Sequence, residues 1–210
     1  MASRTSPTPA STVPPELSNR RQDILDAALA CATAHGVDAL SIEHLRAHCG
    51  ASVGSIYHHF GNKEGVVAAL FFDIFKAQSR SVQAQLDAAV DAQGGVRALV
   101  TGYLDWVVAQ PAQARFLFQA RNPVATGPRA PDLVLAAQQR HQALRTWFEP
   151  HRASGAVRSL PCELLPSLVM GPVQSYCRAW LAAPDGLGAL PSPDTYREEL
   201  AAAAWRAVRT

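Results

Sequence analysis

The sequence predicts an all-α protein, and three observations lead to that prediction. Alanine and leucine are abundant, β-branched residues do not alternate with polar ones, and apolar residues recur three and four positions apart along most of the chain. That spacing places apolar side chains on one face of successive helices, where they can form a common core. No strand and no internal repeat is expected.

The N-terminal part of the chain contains the start and stop signals of four helices. Small polar residues that can accept a hydrogen bond from a free backbone N–H precede each helix, at Ser18 or Asn19, Ser41, Ser52 and Asn62. Glycines that can end a helix follow the first three, at Gly36, Gly50 and Gly61. The fourth helix is predicted to reach about Ala92, a length of about 45 Å at about 1.5 Å per residue.

The C-terminal part is predicted to hold five more helices. Gly94-Gly95 separates the first of them from the fourth helix, and it ends before Pro111 because the residue before a proline avoids helical backbone angles. A stretch rich in proline, 121–131, is predicted to be a loop. Gly171-Pro172 is expected to kink the helix that contains it. The predicted helices are Val96–Val108, a short one through Phe116 and Phe118, Asp132–His151, Pro161–Ala183 and Thr195–Arg209.

Composition limits the classes of protein to consider. The formal net charge of the 210 residues is only +2, which does not by itself argue for a nucleic-acid partner. No run of about 18 apolar residues predicts a membrane span, and Met1–Ser18 lacks the apolar centre of a signal peptide. We therefore expect a cytoplasmic protein with no membrane partner and with residues 1–17 as a disordered arm. The four cysteines are widely spaced, as expected of reduced thiols.

Two short helices joined at Gly50-Ala51-Ser52, with a third helix upstream, make a helix-turn-helix arrangement. In such a unit the second helix enters the DNA major groove and its first residues meet base edges. Ser41 and Lys63 stand at helix starts, where a hydroxyl, a backbone amide or an ammonium can meet a phosphate. The predicted DNA-binding residues are Ser41, Ser52, Val53, Ser55, Tyr57, His58, His59 and Lys63.

The segment from Leu40 to Glu64, which reads LSIEHLRAHCGASVGSIYHHFGNKE, resembles the signature of the TetR (tetracycline repressor) family. The resemblance covers about residues 18–78 and implies a homodimer of about nine helices per subunit, with a ligand pocket among the central helices and the last two helices packed against their twins. It also implies that Val53 and His58 read the DNA sequence. Two departures are Ala51, where valine is commoner, and Glu43, where some relatives have a residue that contacts DNA.

The resemblance gives the domain plan and a function. Residues 18–78 would form the DNA-binding domain, with its motif at 41–60, and residues 79–210 the ligand-binding and dimerisation domain. The implied protein is a transcriptional regulator and not an enzyme: a repressor that leaves double-stranded operator DNA when a small, largely apolar effector binds. No cofactor is expected. No metal site is expected either, because His44 and His48 share a helix face without a third ligand.

Aromatic and polar residues of the second domain are candidates for the effector pocket. A helix broken at Gly171-Pro172 would leave free carbonyls and space beside a few polar groups, which suits an apolar ligand with one polar group. The alternative is that these residues simply fill the core. The candidates are Tyr103, Trp106, Phe116, Trp147, Phe148, Met170, Gln174 and Tyr176.

Two other functions stay open at this point. A thiol-based redox regulator could use Cys162 and Cys177, although that requires exposed cysteines with a lowered pKa and their neighbours are apolar. A helical enzyme is the second alternative, but no nucleophile with a base, phosphate loop or paired carboxylate is evident.

The predicted DNA-binding domain is not basic. Residues 19–66 contain four Lys or Arg side chains and five Asp or Glu side chains, together with five of the seven histidines. Arg4, Arg20 and Arg21 are candidates to add phosphate attraction. Because an imidazole gains a positive charge as the pH falls through about 6.5, we expect DNA binding to strengthen over that range.

Overall fold

The computed structural model describes residues 15–161, 163–182 and 190–210. Within these ranges the chain forms nine α-helices and a short 3-10 helix, and the only β-pairing is an isolated bridge between Val157 and Arg209. The predicted all-α class is confirmed. Residues 1–14 of the predicted arm lie outside the described residues, as does Cys162.

The helices follow one another with short connections. They are α1 (Pro15–His35), α2 (Ile42–Cys49), α3 (Val53–Phe60), α4 (Lys63–Asp87), α5 (Ala92–Ala109), α6 (Pro111–Thr126), α7 (Ala130–Ala153), α8 (Leu165–Ala182) and α9 (Arg197–Val208), with the 3-10 helix at Pro193–Tyr196 before α9. Helix α1 begins three residues before the predicted cap at Ser18, with Pro15 as its first residue, a position where the missing N–H of proline costs nothing.

The predicted caps of the small N-terminal helices are confirmed. The Ser41 side chain accepts a hydrogen bond from the His44 backbone N–H at 3.2 Å, and Ser52 accepts one from Ser55 at 3.1 Å. The Asn62 side chain accepts from the Gly65 N–H at 2.7 Å. Each cap satisfies a backbone donor that the first turn of a helix leaves free, so the chain direction changes at defined residues.

The boundary between α4 and α5 differs from the prediction. Helix α4 ends at Asp87 and α5 starts at Ala92, so Gly94 and Gly95 lie inside the first turns of α5. Asp91 caps α5, accepting from the Gly94 N–H at 2.6 Å. A Cβ on Gly95 would lie 1.8 Å from the indole of Trp147. This glycine therefore lets α7 approach α5 closely and does not interrupt the helix.

The loop predicted at 121–131 is wrong. Helix α6 continues to Thr126 and contains Pro123, and only residues 127–129 connect it to α7. Proline removes one backbone hydrogen bond, but Ala120 and Val124 on the same helix are buried in the core. The packing of that face outweighs the local effect of the proline. Helix α8 also differs from the prediction, because it begins at Leu165 and not at Pro161.

Helix α5 lies at the centre of the C-terminal helices. It contacts α4, α6, α8 and α9, and its Val96, Val100, Leu104 and Val107 are fully buried. Helix α6 contacts α1, α4 and α8, which places it between the first helix and the C-terminal helices. One continuous core therefore joins both parts of the chain. Within the described ranges, none of the helices is both long enough and apolar enough to cross a membrane.

Ion pairs connect distant segments at the surface. Arg21 of α1 contacts Asp73 of α4 at 2.9 Å. Arg97 of α5 pairs with Glu198 of α9, and Arg197 contacts Asp105. Because these groups are partly exposed to water, each pair adds only about 0–1 kcal/mol to stability, and its main effect is to orient α1 and α9.

Candidate functional site

Helices α2 and α3 are held in place by a few apolar side chains. Leu45 of α2, Ala51 of the turn and Ile56 of α3 are buried. Gly50 between the helices has a φ of +62°, a left-handed conformation that glycine adopts without strain. The opposite face of α3 is therefore fixed in orientation while it remains open to solvent.

The exposed face of α3 carries the residues predicted to meet DNA bases. Val53 is 45% exposed and Tyr57 is 50% exposed, and the two lie four positions apart on one helix face. Ser52 and His58 are also exposed, and Ser55 and His59 are half-buried. Half of the Tyr57 side chain is therefore open to solvent, whereas the half-buried Phe60 packs against the core.

Ser41 and Lys63 flank this face at two helix starts. Both are half-buried. The Lys63 Nζ donates a hydrogen bond to the Asp38 carbonyl at 3.0 Å, and the Ser41 oxygen is occupied as a cap acceptor. An ammonium has three protons and a hydroxyl has one, so each group retains donors for a phosphate oxygen.

The two histidines of α2 are oriented by the backbone. Since a carbonyl can only accept, the Nδ1 of His44 donates to Ala39 at 3.1 Å and that of His48 donates to His44 at 2.9 Å. In the part of the chain that the structure describes, no three His, Cys, Asp or Glu side chains are grouped to hold a metal ion.

Both arginines of α1 contact other groups of this chain. The Arg21 guanidinium contacts Asp73 and lies 5.8 Å from the centre of the Phe60 ring. Arg20 lies 3.5 Å from the Cys49 carbonyl oxygen and 3.8 Å from Asp23. Arg21 therefore links α1 to α3 and α4.

A large cavity lies among helices α4 to α8. Its volume is about 740 Å³, and residues of α4, α5, α6, α7 and α8 line it. This volume is within the range of pockets that hold drug-sized ligands, about 300–1,000 Å³. Its apolar wall includes Phe72, Phe75, Val82, Leu99, Leu144 and Met170, and its polar wall includes Gln78, Ser79, Tyr103, Arg121, Arg140 and Gln174.

The structure brings only some of the predicted pocket residues to this cavity. Tyr103, Met170 and Gln174 line it, while Phe148 lines a neighbouring hollow of about 150 Å³ that Met170 also touches. The other four candidates line neither of these two spaces.

Four predicted pocket residues are corrected to structural roles. Phe116 is 2% exposed and Trp106 is 9% exposed, and both fill the core. Trp147 covers Gly95 and packs against His151 with ring centres 4.4 Å apart. The Tyr176 hydroxyl donates to the Pro191 carbonyl at 2.9 Å. Aromatic character alone did not distinguish a cavity wall from a packed interior.

Several cavity residues that the sequence did not identify lie on α4 and α7. Phe75, Gln78 and Ser79 of α4 and Arg140 of α7 were not among the candidates. Gln78 lies in the buried stripe of α4, since it is only 6% exposed. A polar residue at a core-facing position of an amphipathic helix was the available signal.

Cys177 lacks the properties of a redox sensor. Its side chain is fully buried, and burial raises the pKa of the thiol to about 12. The reactive thiolate is therefore scarce at neutral pH. Its suggested partner, Cys162, lies outside the described residues.

Comparison with known proteins identifies the N-terminal segment. The family model "Bacterial regulatory proteins, tetR family" matches residues 24–70, which contain the whole α2–turn–α3 unit and most of α1. The chain is 44% identical over 55 residues to the HTH-type transcriptional repressor AcnR of Corynebacterium diphtheriae, covering 26% of this chain and 29% of that protein. It is 31% identical over 107 residues to the HTH-type transcriptional repressor Rv1474c of Mycobacterium tuberculosis, covering 48% and 52%.

The alignments thus span about half or less of the curated relatives' own lengths. The whole fold has its own counterpart in a solved structure, that of a TetR family transcription regulator from Marinobacter aquaeolei. The TM-score is 0.73 and the sequence identity 19%, with 91% of this chain and 96% of that chain covered. At this identity the likeness concerns the fold alone. The helix-turn-helix match and the helix order together lead to one conclusion: residues 24–70 match the tetR family of bacterial regulatory proteins, and the chain as a whole shares the fold of a solved TetR family transcription regulator.

Proposed function

We propose that this protein is a transcriptional repressor that binds operator DNA through α3 and is released by a small molecule bound in its C-terminal domain. The observation that carries the proposal is the solvent exposure of Val53, Tyr57 and His58 on a helix whose opposite face is fixed in the core. Large apolar and aromatic side chains that are half exposed on a rigid short helix are suited to a groove of the duplex.

The surrounding residues divide into two roles. Ser41, Ser52, Ser55, Tyr57, His59 and Lys63 would contact phosphates and sugars and so set the register of α3 on the DNA. Val53 and His58 would meet base edges, Val53 through apolar contact with a thymine methyl group and His58 through hydrogen bonds. Phosphate contacts give affinity for all DNA, and base contacts give the sequence preference.

A homodimer would place two such helices on one face of the duplex. Half-sites read by paired recognition helices lie about 34 Å apart, one turn of DNA. We infer that α8 and α9 form the dimer face, since large apolar side chains in and beside them keep exposed area in the single chain. These are Leu164, Leu168, Trp180, Leu200 and Trp205. Such a regulator would work in the cytoplasm, where the bacterial chromosome lies.

Helices α4 and α6 connect the cavity with the DNA-binding domain. Helix α4 carries Lys63 at its start and Ser79 at the cavity, about 24 Å apart at about 1.5 Å per residue. Helix α6 carries Arg121 at the cavity, while its Val124 shares a second hollow with Phe60 and Lys63. An effector that prefers one arrangement of these helices would shift the population away from the DNA-binding form.

A DNA-binding titration tests the proposal. Purified protein is titrated against the intergenic DNA beside its own gene and against random DNA of equal length, followed by fluorescence anisotropy. We expect Tyr57→Ala to lower affinity for both DNAs on the order of tenfold, because it removes a contact to the backbone. His58→Ala is expected to reduce only the ratio between the two affinities.

Exposed substitutions on another surface are the matched control. Val90, which is 96% exposed in the α4–α5 connection, can be changed to alanine without touching α3. If Val90→Ala and Tyr57→Ala bind DNA equally well, or if the wild-type chain binds no DNA near its own gene, the proposal is wrong.

A further inference from the structure

The charged side chains around the large cavity are all cations. Lys76, Arg80, Arg121 and Arg140 line it together with His141, and the lining includes no Asp or Glu. Among the described residues, none of the four takes part in an ion pair. Elsewhere in the same protein arginines pair with carboxylates repeatedly, so the cavity is a local excess of positive charge.

Arg140 is the cation placed deepest among them. Its residue is half-buried, whereas Lys76, Arg80 and Arg121 are exposed. The guanidinium lies 5.0 Å from the centre of the Phe75 ring and makes no hydrogen bond to the described part of the chain. Burial lowers the pKa of Arg140, and the like charge of Arg121 lowers it further. Both effects disfavour the cation and would be relieved by an anion beside it.

Polar groups without partners accompany this arginine. The Ser79 Oγ is buried and has no hydrogen-bond partner in the structure. The side chain of Gln78 is only 6% exposed, and its amide makes no hydrogen bond to the described residues. Burial raises the pKa of Tyr103, so its hydroxyl stays protonated and can donate. Leaving a buried hydroxyl such as that of Ser79 unpaired costs about 1–3 kcal/mol, and the other two groups have no protein partner to compete with a ligand, so the cavity suits a polar occupant.

The rest of the wall limits what that occupant can be. Phe72, Phe75, Leu99, Leu144 and Met170 present apolar surface to the same space. A small inorganic anion would leave most of the roughly 740 Å³ unfilled. A neutral hydrocarbon would leave the arginines and the buried donors without partners.

We infer that this cavity binds an organic carboxylate with an apolar body, and that Arg140, supported by Arg121, receives the carboxylate. A guanidinium matches a carboxylate through two parallel N–H···O bonds, which an uncharged group cannot form. Ser79, Gln78 and Tyr103 would complete the hydrogen bonding, and the aromatic wall would cover the apolar body. This inference rests on the proposed function only for the effect of the ligand on DNA, because binding itself is independent of it.

Matched probes test the inference by isothermal titration calorimetry on the full chain without DNA. Dodecanoate and 1-naphthaleneacetate are compared with their alcohols, dodecan-1-ol and 1-naphthaleneethanol. We expect at least one carboxylate to bind about tenfold or more tightly than its alcohol, as a charge-assisted bidentate contact implies. Equal affinities within both pairs, or no binding of either carboxylate, would overturn the inference. So would tighter binding of dodecyl phosphate than of dodecanoate.

Variants of α7 assign the carboxylate to one arginine. Arg140→Met should abolish the preference for the acid over the alcohol while leaving the alcohol affinity unchanged, and Arg140→Lys should keep part of the preference. The matched control is Arg145→Met, since Arg145 lies on the same helix but lines the smaller hollow. A preference that survives Arg140→Met, or that disappears in Arg145→Met, contradicts the assignment. Thermal unfolding of each variant checks that the fold is intact.

A DNA titration separates this inference from the proposed function. If the carboxylate binds through Arg140 but the chain binds no operator DNA, the inference stands and the proposed function fails. If the chain binds operator DNA but prefers neither acid, the inference fails and the function stands.

Discussion

The segment proposed to bind DNA and the large cavity distribute charge in opposite ways. Residues 19–66, which are proposed to face a polyanion, contain one more acidic side chain than basic ones. The cavity, which is proposed to hold a small molecule, is lined by four Lys or Arg side chains and no acidic one. The position and shape of α3 must therefore supply much of the affinity for DNA, whereas charge can supply much of the affinity for a ligand in the cavity.

The largest effect should come from the junction between α3 and α4, the helix that extends from the proposed DNA-binding segment to the cavity. Gly65 lies in the first turn of α4, and a Cβ there would lie 1.9 Å from the Phe60 carbonyl oxygen at the end of α3. Since that neighbour is backbone, Gly65→Ala must displace α3 from α4. We expect a loss of stability of about 3 kcal/mol or more, measured by urea unfolding, with operator binding lost as well.

Gly54→Ala is the control for this prediction. Gly54 is in α3 and exposed, and a Cβ would meet only the Ser52 Oγ at 4.0 Å. Alanine in a helix is favoured over glycine by about 0.5–1 kcal/mol, so this variant should be at least as stable as the wild type. Equal stability of the two variants would show that the close approach of α3 and α4 is unimportant.

A pH titration tests whether histidines give residues 19–66 the positive charge that their Lys and Arg side chains do not supply. Because His58 and His59 lie on and beside the exposed face of α3, an imidazolium there would place positive charge close to phosphate. We expect operator affinity to rise on the order of tenfold from pH 8 to pH 5.5 at constant salt. The double variant His58→Gln with His59→Gln should flatten the profile. A flat profile for the wild type over this range would contradict the role of the histidines.

The smallest effect on function is expected at Cys177. With a thiol pKa of about 12, Cys177→Ala should leave effector-dependent DNA release unchanged in both oxidising and reducing buffer. Loss of a redox response in this variant would revive the thiol-based alternative. The Cys177→Ala substitution should instead change the free energy of unfolding at alkaline pH.

The sign of that effect follows from proton linkage. The folded state keeps the Cys177 thiol protonated up to about pH 12, while the unfolded chain releases this proton from about pH 9. The stabilising contribution is therefore complete below pH 9 and is lost as the pH rises toward 12. Urea unfolding between pH 8.5 and 11 should show a shallower decline for Cys177→Ala than for the wild type. Parallel declines would mean that the thiol ionises equally in both states.

The same contrast explains which parts of the molecule could be predicted from sequence. The DNA-facing unit depends on neighbours in the chain: Ser41, Ser52 and Asn62 cap helices through bonds to residues three positions ahead, and the periodicity of α3 determines which side chains point outward. Such relations are visible in the spacing of the residues. The all-α class followed from the same kind of pattern.

The cavity depends on residues far apart in the chain. Arg140 and Phe75 meet only because α7 packs near α4, and Gly95 acquires its role only when Trp147 arrives beside it. Nothing in the local spacing distinguishes Trp106, which fills the core, from Tyr103, which lines the cavity. The loop predicted around Pro123 was wrong for a related reason, because tertiary burial of Ala120 and Val124 outweighed a local helix breaker.

Helix α4 runs without interruption from Lys63 to the cavity at Ser79. Within the described helix no proline divides this stretch, so a tilt at the cavity also moves the Lys63 end. Over about 24 Å, a rotation of about 5° displaces the Lys63 end by about 2 Å. That distance exceeds the tolerance of a hydrogen bond to a phosphate oxygen. Under the proposed function, a ligand that tilts this one helix by a few degrees would therefore be enough to break the contact of Lys63 with DNA.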